Sequence, residues 1–582
     1  MPWNIGNTSV RNPWRIQAGL QVFAREFNGN LDGSEQESLF RDRLIDRGVL
    51  QAGATVPKEP AWHGRKWRSC FAKLGLITGK TYTRLGNVQI SRQALAERGI
   101  GTGQAYQLTP AGARLLQAGD VTGAIADVFM RQLLRLESPS PTEEPIQGGP
   151  TKPLVLVLQM LSLLEQANEP GLNLVEIAAF VQTASGHKGI AERVARIVQY
   201  RQERSLLAGG RPRRDFDNDT INTEWSEAGL ALQPRSLRDY ADTTSRYCRM
   251  TGLLTLKGNR INLRDEKRAV IDAILASEPT FLAAPNPLDY LVDFYTGTAI
   301  PTDDPVTALD EIRTFARLLV GLRIEPTVDA DALAGLAAQD LATYRYRIEE
   351  QYNLAVEDEF ARGHAEPNSP RIDEVLAYLR YLNGDSGQDV SIGREERPTF
   401  LEWAVWRGLL TMNSLATRPS ETRYFRLDAD MMPIDHAPSG RPDIVMRYNE
   451  LTLVVEVTMS AGSRQEATEG EPVRRHVADI VEQPDGKEIY GLFIAPRVDF
   501  NTAETFRIGV WYHGDNENPN YLNIVPLRLG QFIAIVESMK TVPYTPAGLK
   551  DLLDRCLIFR NAHAPTWLRQ IDIEVNAWLP DN

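Results

Sequence analysis

The sequence predicts a multidomain α+β protein. Two helical N-terminal modules each close on a short hairpin, a helical segment follows, and the C-terminal part is an α/β layer on a mixed sheet. Three observations carry this reading. At 582 residues the chain is too long for one core. Two N-terminal stretches repeat one order of helix, Gly-Leu-Leu/Ile-Thr run, hairpin return and helix. The last third alternates helix, hairpin, helix and strand, the order of a layered α/β domain.

Composition bounds the class. Apolar residues make up 42% and charged residues 24%, as in ordinary globular proteins. Cys70, Cys248 and Cys556 lie far apart, with neither metal-type spacing nor a disulfide framework, which suits a reducing cytoplasm. Met1-Pro2-Trp3-Asn4 lacks a basic start and an apolar run, so no leader is expected. The longest apolar stretch, Leu154 to Leu164, is too short for a bilayer. A cytoplasmic location is therefore expected.

The clearest break is the Pro/Ser/Gly/Glu mixture at 138–152, and weaker ones fall at 300–305 and 363–371. They predict domains at 1–137 and 153–300, a helical connecting segment at 301–385 and a last domain at 386–582. The total charge is −12, yet residues 1–137 carry 18 Lys+Arg against 11 Asp+Glu. A second basic run lies between His187 and Arg214, with eight Lys+Arg against two Glu. Each run is either a solvated Arg-rich helix face or a surface for phosphates; local charge, not global pI, decides the latter.

In the first module a helix-like run, Trp67 to Lys73, is closed by Gly75 and leads into Leu76-Ile77-Thr78. Val88-Gln89-Ile90 and Tyr106-Gln107-Leu108-Thr109 read as short strands, and Pro110 opens a helix. The second repeats the theme: Ser245 to Met250, then Gly252-Leu253-Leu254-Thr255, then Asn259 to Leu263, then a helix from Asp265. Both look like winged helices. In many such modules the helix before the wing enters a major groove; others contact protein. Arg65, Lys66, Arg68 and Lys73 in the first module, and Arg211, Arg213 and Arg214 in the second, are the candidate DNA contacts.

In the last third, Pro398 starts a helix through Leu410, since proline is favoured in a first turn. A hairpin follows, with apolar arms on either side of Asn449-Glu450. A helix over 472–483, strands at 489–495 and 523–527 and a helix over 529–538 complete the order. A hairpin turn centred on Asn449-Glu450 places Asp443 opposite Glu456, about 5 Å away. Like charges there repel, and an acid in an apolar strand is costly unless paired or bound to metal. A hard divalent cation such as Mg²⁺ is the simplest partner, and beside a phosphodiester it polarises oxygen and activates water.

Pro442-Asp443, a twelve-residue gap, then Glu456-Val457-Thr458 resembles the PD-(D/E)xK nuclease motif. The departure is Thr458, where most members place lysine. Together with the paired N-terminal modules, the stretch from Ser439 to His476 resembles the AlwI-type group of type IIS restriction endonucleases and their nicking relatives. That resemblance implies a PD-(D/E)xK domain behind two recognition subdomains, binding a short asymmetric duplex site and cutting a few nucleotides away with Mg²⁺. It implies Asp443, Glu456 and the Val457 carbonyl as metal ligands. Glu402, Glu469 and His476 would be further site residues, with Glu466 and Glu471 competing for the place of Glu469. A cognate methyltransferase and a second copy or subunit for the second strand are implied partners, and a nickase is an open alternative. A DNA-binding regulator with a silent nuclease-like domain is the rival reading, supported by Thr458; a structure-specific repair nuclease is a third. No Walker-type loop, Gly-x-Ser-x-Gly elbow or Cys-x-x-Cys pair is present.

Overall fold

The computed structural model describes residues 3–580 except 4, 51–58, 80–90, 142–149, 230–233, 278–285, 367, 387–389, 391, 394–395, 413, 439, 483–485 and 513–516. The chain divides into two compact units, Met1–Tyr352 and Asn353–Asn582.

The first unit is mostly helical, and one apolar core runs through it from Trp3 to Ile300. Segments 1–137 and 153–300, expected as separate domains, share that core. The reason is the helix Pro153–Gln166, whose Leu154 to Leu158, Met160, Leu161 and Leu164 are all buried. A helix apolar on nearly every side must be enclosed, and the helices Thr122–Arg135, Ile190–Ser205 and Arg268–Ala276 enclose it. Ser138 and Thr151 exchange backbone hydrogen bonds of 2.9 Å across the expected linker.

In the second module the helix Pro234–Arg249 leads into β1 (Leu254–Lys257) and β2 (Arg260–Leu263), then the helix Arg268–Ala276. Leu254 faces Leu263 and Lys257 faces Arg260. Gly258 and Asn259 both take positive φ, the primed two-residue turn that matches strand twist. The first module is less regular. After the helix Trp62–Lys73, Ile77 and Leu108 form a single antiparallel bridge, so Tyr106–Thr109 is not the expected strand. Tyr106 has φ 54°, which breaks an extended run. Val88-Gln89-Ile90 lies outside the described residues. Thr109 caps the helix Pro110–Gln117 by accepting from the Gly112 N–H at 3.0 Å.

Residues 301–352 belong with this unit through a buried ionic network. Lys267 Nζ donates to Glu311 (2.6 Å) and Glu349 (2.8 Å), Arg264 pairs with Glu349 (3.3 Å), and Arg345 pairs with Asp127 and Glu311. Three acids and three bases balance, the condition on which buried charges survive.

In the second unit β3 (Ile444–Arg447), β4 (Leu451–Val457), β5 (Glu488–Ala495) and β8 (Asn523–Arg528) form one sheet in the order β3-β4-β5-β8. β3 and β4 are antiparallel; β4, β5 and β8 are parallel. Ile444 faces Val455 and Arg447 faces Thr452, the register a turn at Asn449-Glu450 requires. β6 (Val510–Trp511) and β7 (Asn520–Tyr521) make a separate short ribbon. Between β4 and β5 a polar stretch forms a π-helical turn, Glu466–Gly470, which runs into the helix Glu471–Val481. The helix Arg397–Leu409, buried from Thr399 onward, packs on β4. The parallel strands thus end together at one rim, where open α/β sheets place their ligands.

Removing one partner of the buried network leaves unpaired charge. Lys267→Met is expected to cost the first unit about 3–5 kcal/mol, read as an earlier urea transition of that unit.

Candidate active site

The rim at the end of β4 collects the acids. Asp443 stands one residue before β3 and Glu456 in the last turnable pair of β4 positions, opposite each other by register. Asp443 is fixed at its backbone and its side chain. Its C=O accepts from the Tyr424 N–H (3.3 Å), because residues 422–425 run along the outer edge of β3, where Arg423 bridges Ile444. Its Oδ2 accepts from the Val457 N–H at 2.8 Å.

Glu402 comes from the helix Arg397–Leu409. Two indoles of that helix hold the following segment in place: Trp403 Nε1 donates to the Met431 carbonyl (2.8 Å) and Trp406 Nε1 to Thr422 Oγ1 (2.9 Å). The Ala437 N–H is thereby set to donate to Glu402 Oε2 at 2.9 Å. Arg407, on the same helix, is fully buried. Its Nε donates to His364 Nε2 (2.9 Å), its guanidinium pairs with Glu374 (2.8 Å), and it lies over the Trp403 ring at 4.6 Å. Burial and Arg407 hold the His364 pKa down to about 3, so this imidazole is the neutral acceptor.

Glu469 lies in the π-helical turn and accepts from Thr458 Oγ1 at 2.8 Å. Thr458, at the position where lysine is usual in the motif, thus holds an acid in place without bringing a charge. His476, on the next helix, meets Glu456 through Nδ1 at 2.7 Å. Its Nε2 is buried and has no hydrogen-bond partner.

Electrostatically the four acids behave as one group. Burial first, then Glu456 and Glu469, pushes the Asp443 carboxyl well above its usual range, against the Val457 N–H. Glu456 is pushed up by burial, Glu469 and Glu402; Arg475 opposes. Glu402 is pushed up by burial, Asp443 and Asp435, and Glu469 by burial. His476 is lowered by burial and by Arg475. The raised acid and the lowered imidazole both disfavour an ion pair here. Among the described residues no three His, Cys, Asp or Glu side chains converge tightly enough to enclose an ion as they stand. The donor set nevertheless fits a hard cation: carboxylate oxygens that repel each other in a buried rim, with no lysine to neutralise them. Any ion bound here would lower all four raised values together.

Gln465 and Asp435 escaped the sequence reading. Gln465 is fully buried. Its amide donates to the carbonyls of Ser460 (2.8 Å) and Arg497 (2.9 Å), and its oxygen accepts from the Asp499 N–H (2.8 Å). It ties the turn that carries Glu469 to the end of β5. A lone glutamine in a charged stretch gives no periodic signal.

The candidate DNA contacts fare unevenly. Arg65 pairs with Glu59 at 2.7 Å, Lys66 lies 5.4 Å from the Trp62 ring, and Lys73 is exposed. Arg68 is committed internally, to Glu37 and to the Tyr106 hydroxyl, and lies over the Tyr106 ring at 4.4 Å. Arg211 and Arg214 are exposed; Arg213 is half-buried and donates to the Leu207 carbonyl at 3.0 Å.

A family model described as AlwI restriction endonuclease matches residues 72–535. Two solved structures align over parts of the chain. The small subunit (R.BspD6I2) of the heterodimeric restriction endonuclease R.BspD6I is 22% identical with a TM-score of 0.28, over 36% of this chain and 100% of that one. The BpuJ1 endonuclease binding domain, crystallised with pyrene- and phenanthrene-modified DNA, is 11% identical with a TM-score of 0.29, over 51% and 97%. No curated protein sequence matches the chain.

The raised carboxyls have a thermodynamic sign. A group whose folded pKa is raised adds stability below its unfolded pKa and loses it as pH rises through the folded value. Glu402→Gln keeps an acceptor for the Ala437 N–H and removes a repelling charge. It is expected to raise the melting temperature of the metal-free chain near pH 8 by a few degrees, equivalent to about 1 kcal/mol. The gain shrinks toward pH 5 as the wild-type acids protonate, and differential scanning fluorimetry across that range reads it.

Proposed function

Since the chain belongs to the AlwI restriction endonuclease family, we propose that it is a Mg²⁺-dependent, type IIS-like endonuclease whose catalytic centre is the carboxylate rim at the end of β4. The observation that carries this reading is the convergence of Asp443, Glu456, Glu402 and Glu469, each raising another's pKa, on one buried edge. Such an arrangement destabilises the bare fold and makes sense where a cation is to be held.

Asp443, Glu456 and the Val457 carbonyl would hold Mg²⁺, with Glu402 and Glu469 available to a second ion. A bound Mg²⁺ supplies charge for the phosphate oxygens and acidifies water. The chain's own groups do the rest. With Glu456 ionised, His476 Nδ1–H donates to it, and this fixes the tautomer with Nε2 bare. That nitrogen, buried in the free chain, would take a proton from the water attacking phosphorus only where bound substrate uncovers it. Thr458 keeps Glu469 in position, so the group usually supplied by the motif lysine is replaced by His476 and the ion. Recognition falls to the first unit, whose two winged-helix-like modules hold their helices in fixed relation: Cys70 Sγ on one lies 3.1 Å from the Tyr247 hydroxyl on the other. One such centre cuts one strand, so the chain either nicks or is joined by a second copy or subunit. A cognate methyltransferase would protect host DNA, and the three buried free thiols suit a reducing cytoplasm. Among the described residues no helix is long and apolar enough to cross a membrane.

Thr458 in the lysine position favours one rival, a DNA-binding regulator with a silent nuclease-like domain. Plasmid cleavage separates the two. The wild type is expected to give discrete products in Mg²⁺ and none in EDTA, and run-off sequencing of the ends reports site, offset and strand. Asp443→Asn, which keeps an acceptor for the Val457 N–H, is expected to lower cleavage by about a thousandfold or more while DNA binding in Ca²⁺ stays near wild type. A variant that cuts at the wild-type rate refutes the site.

The raised acids also set a pH dependence. Protons compete with the cation for the same oxygens, so metal affinity is expected to fall as pH drops from about 8 to about 5.5. Calorimetric titration of the DNA-free chain with Mg²⁺ or Mn²⁺ measures it, and a pH-independent affinity counts against these ligands.

A further inference from the structure

The helices Ile190–Ser205 and Arg211–Glu227 form a hairpin inserted before the helix Pro234–Arg249 that leads to the β1–β2 wing. Its base is anchored: Ile221 and Trp225 are buried, and Trp225 Nε1 donates to the Ala178 carbonyl at 2.7 Å. Its stem is stiff. The Tyr200 and Phe216 rings stack at 5.6 Å, and Tyr200 OH and Arg204 Nε both donate to Asp217 Oδ1 at 2.6 Å. Asp217 thereby neutralises Arg204; beyond it Arg211 has only the exposed Asp215 and Arg213 only a backbone carbonyl.

The tip is of a different character. From Arg204 to Arg214 the chain carries four arginines and no acid. Leu206 at its crest is 86% exposed, the most exposed of the large apolar side chains among the described residues. Gly209 and Gly210 follow, with open space where a Cβ would stand, and Gly210 takes φ +80°. Arg211 is 84% exposed, and its one acid, Asp215, is 3.4 Å away on the solvent side. A single exposed apolar side chain is ordinary on a protein surface; Leu206 is set apart by the stacked stem beneath it and by the acid-free run of arginines around it. Flanking arginines on a stiff stem make it complementary to one kind of polymer, an anionic surface with apolar steps behind it.

We infer that this tip is a duplex-DNA contact in which Arg211 and Arg214 grip phosphates while Leu206 enters between base pairs from the minor groove. Apolar wedges flanked by cations bind in this manner, partly unstacking one step and bending the duplex. The contact rests on the endonuclease reading and adds to it a residue that deforms the site. Sequence preference would then fall partly on a step chosen for ease of unstacking rather than for its hydrogen bonds.

The test uses the full chain on supercoiled plasmid in Ca²⁺, with binding read by band shift and deformation by the linking number after topoisomerase relaxation. The wild type is expected to bind and to shift the linking number. Leu206→Ala, with an unchanged melting temperature, is expected to lose most of that shift while affinity falls less than about tenfold. The double variant Arg211→Ala/Arg214→Ala is expected to bind at least about tenfold more weakly, with a salt slope smaller by about 2. A wild type that cuts in Mg²⁺ but leaves the linking number unchanged, or a Leu206→Ala chain that shifts it fully, overturns the wedge and leaves the nuclease reading standing. A wild type that does not bind duplex DNA overturns both. Loss of self-association in Leu206→Glu, with DNA binding intact, assigns the tip to protein contact and overturns the inference.

Discussion

Four carboxylates gathered from two strands, a helix and a turn around the rim beyond β4 are the constraint around which the second unit is organised. Like charges at the edge of an apolar sheet are a standing expense of folding. The surrounding structure meets it one donor at a time: the Val457 N–H for Asp443, the Ala437 N–H for Glu402, the Thr458 hydroxyl for Glu469 and His476 for Glu456. Each donor is itself held by something distant from the rim. Ala437 depends on the two indoles of the helix Arg397–Leu409, and the turn of Glu469 depends on Gln465. The core therefore acts as a clamp that keeps repelling groups in register, and rigidity of this kind is what a metal-holding site requires.

The first unit solves a different problem with similar means. Its modules are small, and neither closes a core alone. The enclosed helix Pro153–Gln166 and the balanced network around Lys267 and Arg345 join them. Two modules fixed in one core keep a constant spacing; on the proposed recognition role, that suits a single contiguous site better than two independent half-sites.

What was legible in the sequence follows from the range of the forces involved. The 443–458 hairpin was readable because its arms alternate around one polar turn, and side-chain alternation leaves only one register that buries both arms. The Leu254–Leu263 hairpin was readable from the run Gly252 to Thr255 and its return from Asn259 to Leu263, though its turn at Gly258-Asn259 emerged only from the fold. Domain limits were not. The stretch 138–152 has a linker's composition, but Thr151 is buried in a core that composition cannot reveal. Arg68 looked like a phosphate contact beside Arg65 and Lys66; only the fold shows that Glu37 and Tyr106, far apart in sequence, have claimed it. Glu402 could not be told from a surface glutamate, because its burial is decided by residues 431–437. Gln465 and the Arg407–His364 lock are tertiary throughout and leave no local trace.

One feature of the sheet limits how copies of this chain can meet. The outer edge of β3 is already taken by Arg423 and Leu415, which bridge Ile444 and Tyr448. At the opposite margin β8 carries Pro526, which offers no N–H to an incoming strand. One border of this sheet is covered and the other is interrupted by a proline, which disfavours strand-to-strand fusion there. Assembly through this sheet's borders is thus disfavoured, and helices, loops and the short β6–β7 ribbon are left as contact surfaces.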